Sequence, residues 1–428
     1  MCRMKSAATQ RDASPSLYED PSFWGLTATQ LLGAFNDNLF KQFVLLVAVV
    51  SVADASTEDR QSLAMAAFAL PFILFSGFGG FLSDRYSKRT IIVLCKVAEI
   101  AVMVAATVVF YFGAALMPLV VVVFFMGAQS AFFGPAKYGV LPEMFAGRDL
   151  PRANGWIQLT TFLAIIFGTA AAGVLKTHVA GAVWMVGCAC IAIALIGTAT
   201  SLIIRSQKAA QPELSFSVSA LMIRRDTWQT LVGDRPLLRV LGASSLFWFV
   251  GGLILPAVNA LGKHELGLRD DQTSFLAAGL GVGIAFGCLA AGKLSGSRVA
   301  FYLSRFGCWG VVVCALVVWA SNVTGSQMLG YRGSLLMLIV MGAMAGLFAV
   351  PLQVFLQARP PKGQKGRMIG AMNLLNWIGI FLSAGVYQLC TLAAEHFRLA
   401  PSITFLVVAA ALLSALWLVP NGDEQLTS

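Results

Sequence analysis

Charged side chains are scarce in this sequence. Only 12% of its 428 residues are Asp, Glu, Lys or Arg, about half the share of a typical soluble domain, and 58% are hydrophobic. This composition excludes an ordinary soluble globular protein. It indicates instead a chain that spends most of its length inside a lipid bilayer.

Histidine is almost absent, with only His178, His264 and His396 in the whole chain. An acyltransferase centre that needs a His with an Asp five positions later is excluded, because Val183, Arg269 and Pro401 stand there. Most of the eight cysteines lie in apolar runs, and Cys188 and Cys190 have no nearby His or acid. We therefore expect no enzyme activity, no disulfide, no metal site and no cofactor.

Long apolar runs recur along the entire chain. Each is close to the roughly 20 residues that a helix needs to cross a hydrocarbon core of about 30 Å. Segments such as "VVVVFFMGA" are apolar on every side, unlike the alternating strands of a membrane β-barrel. The sequence predicts an all-α membrane protein with twelve transmembrane helices, over residues 23–52, 61–82, 90–112, 117–137, 155–175, 180–204, 236–260, 272–293, 298–320, 333–357, 366–392 and 400–419.

Positive charge is distributed unevenly between the predicted loops. Most of the 30 Lys and Arg residues fall in the amino tail and in the loops after even-numbered spans. Only six fall on the other side: Arg60, Lys176, Lys263, Arg269, Arg332 and Arg398. The positive-inside rule then predicts that both termini are cytoplasmic, and topology explains the net charge of +10 without a nucleic-acid partner. The amino tail lacks the apolar core of a cleavable signal peptide, so the first span should be retained.

The longest polar interruption divides the spans into six plus six. The expected organisation is a cytoplasmic amino tail (1–22), an amino-terminal bundle (23–204), a cytoplasmic linker (205–235), a carboxyl-terminal bundle (236–419) and a cytoplasmic tail (420–428). Part of the linker, around residues 219–232, could form an amphipathic helix with Trp228 and Leu231 against lipid. Short similar segments at matching places in the two halves, such as "GGFLS" after span 2 and "AGKLS" after span 8, indicate two pseudo-symmetric halves with a site between them.

The first span carries an unusual polar stripe. Thr27, Gln30, Asp37, Asn38 and Lys41 fall within an arc of roughly 100 degrees on a 3.6-residue helix, whereas Asn36 points away. Asp37 and Lys41 have the spacing of a helical ion pair. Charges are costly inside a membrane even when paired, so the stripe should face the bundle interior or a wet cavity. Two readings stay open, a substrate pathway and a structural pair.

Other spans carry polar groups whose roles the spacing leaves open. Lys96 and Glu99 in span 3 favour a structural pair in which the lysine reaches the inner headgroups. Lys137 follows Pro135, which should stop or bend span 4, and could anchor the helix or bind a phosphate. Asn154 and Gln158 in span 5 and Asn373 and Asn376 in span 11 suit ligand contact or interhelical hydrogen bonds equally well.

The loop after span 2, "GGFLSDRYSKR", resembles the signature of the major facilitator superfamily. Gly80, Asp84, Arg85 and Arg89 stand on its positions, while Ser87 replaces the usual glycine. The resemblance implies the major facilitator fold and transport by alternating access. It also implies that this loop latches the two halves on the cytoplasmic side in the outward-open state, so Gly80, Asp84, Arg85 and Arg89 would act in gating.

A narrower resemblance covers nearly the whole chain. "GAFNDNLFK", "FGPAKYGVLPE" and "ANG" are similar to the lysophospholipid transporter branch, including the membrane domain of bifunctional acyltransferase fusions. The branch implies a bacterial inner membrane and return of lysophosphatidylethanolamine or lysophosphatidylglycerol to the inner leaflet. We expect a monomer among membrane lipids, and a separate acyltransferase is a candidate partner. A proton-coupled exporter of drugs or small metabolites is the alternative on the same scaffold.

The chemistry of a lysophospholipid assigns the polar residues as candidate contacts. Lys41 or Lys137 could hold its phosphate, and Asp37 could hold an ethanolamine ammonium. The amides of Asn38, Asn154, Gln158, Asn373 and Asn376 could bind the glycerol.

Overall fold

The computed structural model describes residues 16–48, 57–113, 115–179, 181–323 and 328–426. The amino tail (1–22) is therefore described only from residue 16, and the predicted end of span 1 at residue 52 lies outside the described residues. Thirteen α-helices follow one another along this part of the chain: α1 (Pro21–Ala48), α2 (Thr57–Arg85), α3 (Lys88–Tyr111), α4 (Leu116–Met144), α5 (Leu150–His178), α6 (Trp184–Ser201), α7 (Arg225–Gly233), α8 (Arg235–Ala260), α9 (Asp270–Leu294), α10 (Phe301–Val323), α11 (Gly330–Ala358), α12 (Lys365–Phe397) and α13 (Ile403–Leu418).

Twelve of these helices correspond to the twelve predicted spans, since α7 is a short linker helix. Among the described residues, ten are long and apolar enough to cross a membrane by composition alone. Helix α13 is apolar but shorter than these ten, and α1 is long enough but its polar stripe makes it less apolar. The chain is thus an all-α, multi-pass membrane protein. The expectation that Pro135 stops or bends span 4 is wrong in one respect, because α4 continues through Pro135 and Pro142 to Met144.

The linker contacts both halves of the protein. It contains a 3-10 turn (Val218–Leu221) and then α7, somewhat later than the predicted amphipathic helix. Trp228 is 49% exposed, as expected, but Leu231 is fully buried against the protein rather than lipid. A Cβ on Gly77 of α2 would lie 1.8 Å from the carbonyl oxygen of Met222, so only glycine permits this contact.

Each end of the helical bundle gathers a different set of loops. We call the end with the loops after even-numbered spans the basic end; it holds residues 86–87, 145–149, 202–224, 295–300 and 359–364. Here a two-residue antiparallel pair, β1 (Arg298–Val299) and β2 (Glu424–Gln425), ties the carboxyl tail to the loop after α9. We call the opposite end the far end.

The hydrophobic core shows where the two halves meet. One buried cluster is continuous across them and includes Leu141 and Ile157 of the amino-terminal half with Leu352 and Met372 of the carboxyl-terminal half. A separate cluster around Phe40, Phe43 and Phe110 belongs to the amino-terminal half alone. Within the described residues, every side-chain hydrogen bond between the halves lies at the basic end. The structure is therefore closed at its basic end.

Glycines bring the halves into backbone contact along two seams. In the α5–α9 seam, a Cβ on Gly155 would lie 2.8 Å from the carbonyl oxygen of Cys288, and one on Gly292 would lie 2.7 Å from that of Pro151. In the α2–α12 seam, a Cβ on Gly80 would lie 2.7 Å from the carbonyl oxygen of Gly366. Small residues allow such close packing where helices meet inside a membrane.

We predict that Gly155→Val destabilises the protein by about 1–3 kcal/mol, because its side chain must displace backbone atoms of α9. Thermal unfolding in detergent measures the effect. Gly173→Val is the matched control on the same helix, since a Cβ at Gly173 meets no atom within 4 Å. Equal losses of stability in the two variants would show that seam packing is not the cause.

Candidate functional site

The polar stripe of α1 faces α4 at the level of Asp37. The Asp37 carboxylate accepts hydrogen bonds from the Ser130 hydroxyl at 2.5 Å and from the Gln129 amide at 3.2 Å. Asp37 keeps some accessible surface even though it lies in the middle of a membrane-length helix. Such a half-buried carboxylate fits a polar opening better than contact with acyl tails.

Lys41 does not pair with Asp37 in this structure. Its ammonium donates to the Asn38 side-chain oxygen at 3.2 Å and lies 4.8 Å from the centroid of the Phe68 ring of α2. Phe68 in turn packs edge-on against Trp377 of α12, at 6.0 Å between ring centroids. A helical ion pair between Asp37 and Lys41 is therefore not formed. Ser130 and Gln129 bond to the Asp37 carboxylate instead, and the Lys41 side chain turns towards the boundary between the halves.

Lys137 joins α4 to α1 and α5. Its ammonium donates to the Gln30 side-chain oxygen at 2.9 Å and lies 4.3 Å from the Tyr138 ring centroid. The Gln30 amide donates to the Thr161 hydroxyl of α5. Gln158, one helical turn from Thr161, accepts from the Tyr138 hydroxyl at 3.2 Å. Among the residues that the structure describes, no carboxylate forms a hydrogen bond or ion pair with Lys137, so an anion could join the neutral groups that hold the cation.

The opposite face of α1 carries a second, dry polar cluster. Asn36 is fully buried and donates to the Glu99 carboxylate at 2.7 Å and to the backbone carbonyl of Cys190 at 3.2 Å. Lys96 forms an ion pair with Glu99, and both side chains are 1% exposed. The predicted pair therefore exists, but Lys96 does not reach the headgroups. Its ammonium is enclosed by α1 and α6, next to Gly33 and Gly197.

The remaining amide candidates lie apart from the stripe. Asn154 and Gln357 exchange two hydrogen bonds of 2.8 Å, which join α5 to α11 across the two halves. Asn376 accepts from the hydroxyls of Ser244 and Ser245 of α8, at 3.3 Å each, within the carboxyl-terminal half. Asn373 approaches α4, where a Cβ on Gly134 would lie 2.5 Å from its amide nitrogen. In the part of the chain that the structure describes, no group of His, Cys, Asp and Glu is placed to hold a metal ion.

A buried carboxylate latches the basic end. Asp84, at the end of α2, accepts from the backbone N–H of Gly366 at 2.7 Å and of Arg367 at 3.1 Å, and from the Arg367 Nε at 3.0 Å. These N–H groups belong to the first turn of α12, where free donors and the helix dipole favour a negative charge. Asp84 is fully buried, so each contact is made without competition from water.

The linker completes this latch. Arg367 also donates to Asp226 of α7 at 2.5 Å and to Gln211 at 2.9 Å, and the Gln211 backbone N–H donates to the Asp84 carbonyl at 2.8 Å. Burial alone would raise the pKa of Asp226, but the Arg367 guanidinium outweighs it and holds that pKa below its usual range. The contribution of this contact is therefore present above about pH 4 and lost as pH falls through the lower folded-state pKa.

The four residues assigned to gating separate into two groups. Gly80 and Asp84 contact α12 of the other half. Arg85 lies over the rings of Phe81 and Tyr86, and Arg89 donates to the carbonyl of Leu202 within its own half. Arg367 and Gln357 were not singled out from the sequence. Asp84 has a cation four residues later, Lys88, which lies 3.9 Å away, so there was no clear signal in the sequence for a second cationic partner on another span.

We predict that Asp84→Asn weakens the closed basic end by about 3 kcal/mol, more than a hundredfold in the conformational equilibrium, because it leaves Arg367 without its buried carboxylate. Labelling of a cysteine at Ser83, which is fully buried in this state, measures the opening. Arg85→Gln, on the adjacent residue, should leave the labelling rate nearly unchanged. Slow labelling in Asp84→Asn would contradict the latch.

We predict that Glu99→Gln lowers the free energy of unfolding by about 3–5 kcal/mol, because it leaves the Lys96 ammonium buried without a counterion. The double variant Lys96→Met with Glu99→Gln should recover most of that loss. Thermal unfolding of the three proteins in detergent makes the comparison. A double variant no more stable than Glu99→Gln would show that the unpaired charge is not the cause.

Comparisons with known proteins agree with this architecture. The family model of the Major Facilitator Superfamily matches residues 26–384. The lysophospholipid transporter LplT of Escherichia fergusonii is 30% identical over 418 residues, which cover 95% of this chain and 98% of that protein. The fold is also similar to the human organic anion transporter MFSD10, with a TM-score of 0.76, 12% identity and coverage of 95% of this chain and 100% of that one. A proton:xylose symporter, XylE, gives a TM-score of 0.70 at 15% identity, covering 92% and 94% of the two chains. The chain is a secondary transporter of the Major Facilitator Superfamily, in the branch that holds the lysophospholipid transporters.

Proposed function

We propose that this transporter moves lysophospholipids, chiefly lysophosphatidylethanolamine or lysophosphatidylglycerol, from the outer to the inner leaflet of a bacterial inner membrane. One observation carries the proposal: a cation, an acid and amides share one stripe of α1, and the protein also has an apolar groove between α2, α4 and α12. A lysolipid needs both kinds of surface, because it has a charged headgroup and one acyl chain. A sugar or a small polar metabolite has no acyl chain and does not need the apolar surface.

The stripe supplies contacts that match the headgroup. Lys41 would hold the phosphate, and Lys137 is the second candidate because its ammonium donates to the neutral Gln30 side chain. Asp37 would accept the ethanolamine ammonium in exchange for Ser130 or Gln129. Asn38 and Gln158 bond mainly to protein groups that a glycerol hydroxyl could replace. Charge-assisted hydrogen bonds of this kind are stronger than neutral ones.

The groove supplies an apolar wall for the acyl chain. It has a volume of about 360 Å³ and opens between α2, α4 and α12, lined by Leu63, Ala66, Ala67, Leu70, Val120, Val121, Phe124 and Phe381. Phe68, whose ring lies 4.8 Å from the Lys41 ammonium, belongs to the same helix as the lining residues Ala66, Ala67 and Leu70 but does not itself line the groove. In this proposal the headgroup binds at the stripe and the acyl chain lies against the apolar wall.

The latch suits a substrate that enters from the far end. We propose that the basic end faces the cytoplasm, together with both termini, as the charge distribution predicts. The closed basic end is then the outward-open state, with Asp84 and Arg367 as its latch and the Asn154–Gln357 pair beside them. The chain would act without catalysis of its own and as a monomer, and a separate acyltransferase could consume the lysolipid that it delivers.

Uptake of labelled lysophosphatidylethanolamine into proteoliposomes tests the site. We expect Asp37→Asn and Lys41→Gln each to slow initial uptake at least tenfold, since a hydrogen bond to a charged group contributes about 1.5–3 kcal/mol. Asp149→Asn and Lys208→Gln remove the same charges near the basic end and should transport like the unaltered protein. Normal uptake by both Asp37→Asn and Lys41→Gln would refute the assigned site.

The same proteoliposomes separate this proposal from a proton-coupled exporter of drugs or small metabolites. The stripe holds a single acid, Asp37, and α8–α13 contribute none to it, so a relay of carboxylates is not available. We expect a protonophore to leave lysolipid uptake unchanged. Uptake that follows the pH gradient, with loss of that dependence in Asp37→Asn, would favour the exporter instead.

A further inference from the structure

A second groove lies at the basic end, on the outer surface of the α5–α9 seam. Its volume is about 510 Å³, and Tyr18, Arg152, Trp156, Leu289, Gly292 and Lys293 line it. It is separate from the α1 stripe, and no step of the proposed transport uses it. We call it the seam groove.

Two cations face each other across the seam groove, one from each half. Arg152 lies in the first turn of α5 and Lys293 in the last turn of α9, and both side chains are exposed. Neither has a hydrogen bond or an ion pair within the described ranges, and no acidic residue lines the groove. Elsewhere at the basic end, arginines such as Arg205, Arg359 and Arg367 do pair with acids. The seam groove therefore presents an uncompensated positive charge.

Aromatic side chains mark the level of the bilayer surface at this site. Trp156 lines the groove and contacts Trp24 of α1 edge-on, at 5.5 Å between ring centroids. Trp24 donates its indole N–H to the backbone carbonyl of Tyr18 at 2.8 Å. Tryptophan and tyrosine collect where acyl chains meet headgroups. Arg152 and Lys293 thus lie at the height of the phosphate layer.

Below the cations, the groove opens onto two apolar stripes, one on each helix. On α5 the stripe runs from Trp156 through Leu163 to Phe167, which is 58% exposed. On α9 it runs from Leu289 to Phe286, which is 65% exposed, and on to Val282. Exposed apolar faces of membrane helices contact acyl chains. Two stripes beneath one pair of cations fit a lipid with two chains rather than one.

We infer that the seam groove binds an intact anionic phospholipid from the leaflet at the basic end, with its phosphodiester between Arg152 and Lys293 and one acyl chain along each stripe. Arginine and lysine both bind phosphate, and anionic lipids are attracted to basic residues at the membrane surface. The bound lipid would bridge the two halves where Gly155 and Gly292 bring them together. It would therefore stabilise the state that is closed at the basic end, whatever substrate the protein carries.

Native mass spectrometry of the purified full-length protein tests this inference without a transport assay. Phosphatidylglycerol, phosphatidylethanolamine and lysophosphatidylglycerol serve as probes. We expect the unaltered protein to retain phosphatidylglycerol most strongly. In the double variant Arg152→Gln with Lys293→Gln, its affinity should fall about thirtyfold, which corresponds to ~2 kcal/mol.

The control variant Arg148→Gln with Lys208→Gln removes two cations from the same end but outside the groove, and it should keep the preference. Equal retention of phosphatidylglycerol and phosphatidylethanolamine by the unaltered protein would overturn the inference. An equal loss in the control variant would overturn it too, because general surface charge would then explain binding. Retention of lysophosphatidylglycerol as strong as that of phosphatidylglycerol would show that the two-chain assignment is wrong.

Discussion

The buried carboxylate of Asp84 joins the two halves at the closed basic end. The first turn of α12, from the other half, supplies it with backbone N–H groups and a guanidinium, and the Lys88 ammonium of its own half lies 3.9 Å away. The same contact requires that the helices approach to backbone distance, which Gly80 and Gly366 allow. The hydrogen bonds of Asp84 therefore depend on the glycines, because a larger residue at Gly80 or Gly366 would hold the two helices apart.

Helix α1 places charged or polar groups on two faces, and each face has partners for them on neighbouring helices. Its inner face, with Asp37, Asn38 and Lys41, keeps accessible surface and is available to a ligand. Its outer face places Asn36 against the Lys96–Glu99 pair, which is sealed from water by α3 and α6. Both faces hold charges, but only the inner one leaves them hydrogen-bonded to exchangeable neutral partners. On this difference we base the proposal that the inner face binds substrate and the outer face is structural.

Much of the fold follows from the sequence because lipid imposes strong constraints on it. Apolar length predicts the twelve spans, and the basic loops with the "GGFLSDRYSKR" motif predict the two halves and their latch. Side-chain partners were harder to predict. The spacing allowed Lys41, one turn away, as a partner of Asp37, but the carboxylate bonds to Ser130 and Gln129 of α4. Lys96 was expected at the headgroups but is buried. Periodicity reports which face a residue occupies, whereas the partner depends on packing between helices that are distant in the chain.

The Asn154–Gln357 pair differs in kind from the carboxylate latch beside it. Two neutral amides can separate and rehydrate, each trading one amide partner for water, and neither leaves a net charge behind. Separating Asp84 from Arg367 instead breaks a buried contact between two charged groups, although Asp226 and Lys88 remain as partners. The basic end is therefore held by a charged contact between α2 and α12 and by a neutral, more easily broken contact between α5 and α11. Separating α5 from α11 therefore breaks only neutral hydrogen bonds, whereas separating α2 from α12 breaks contacts between charged groups.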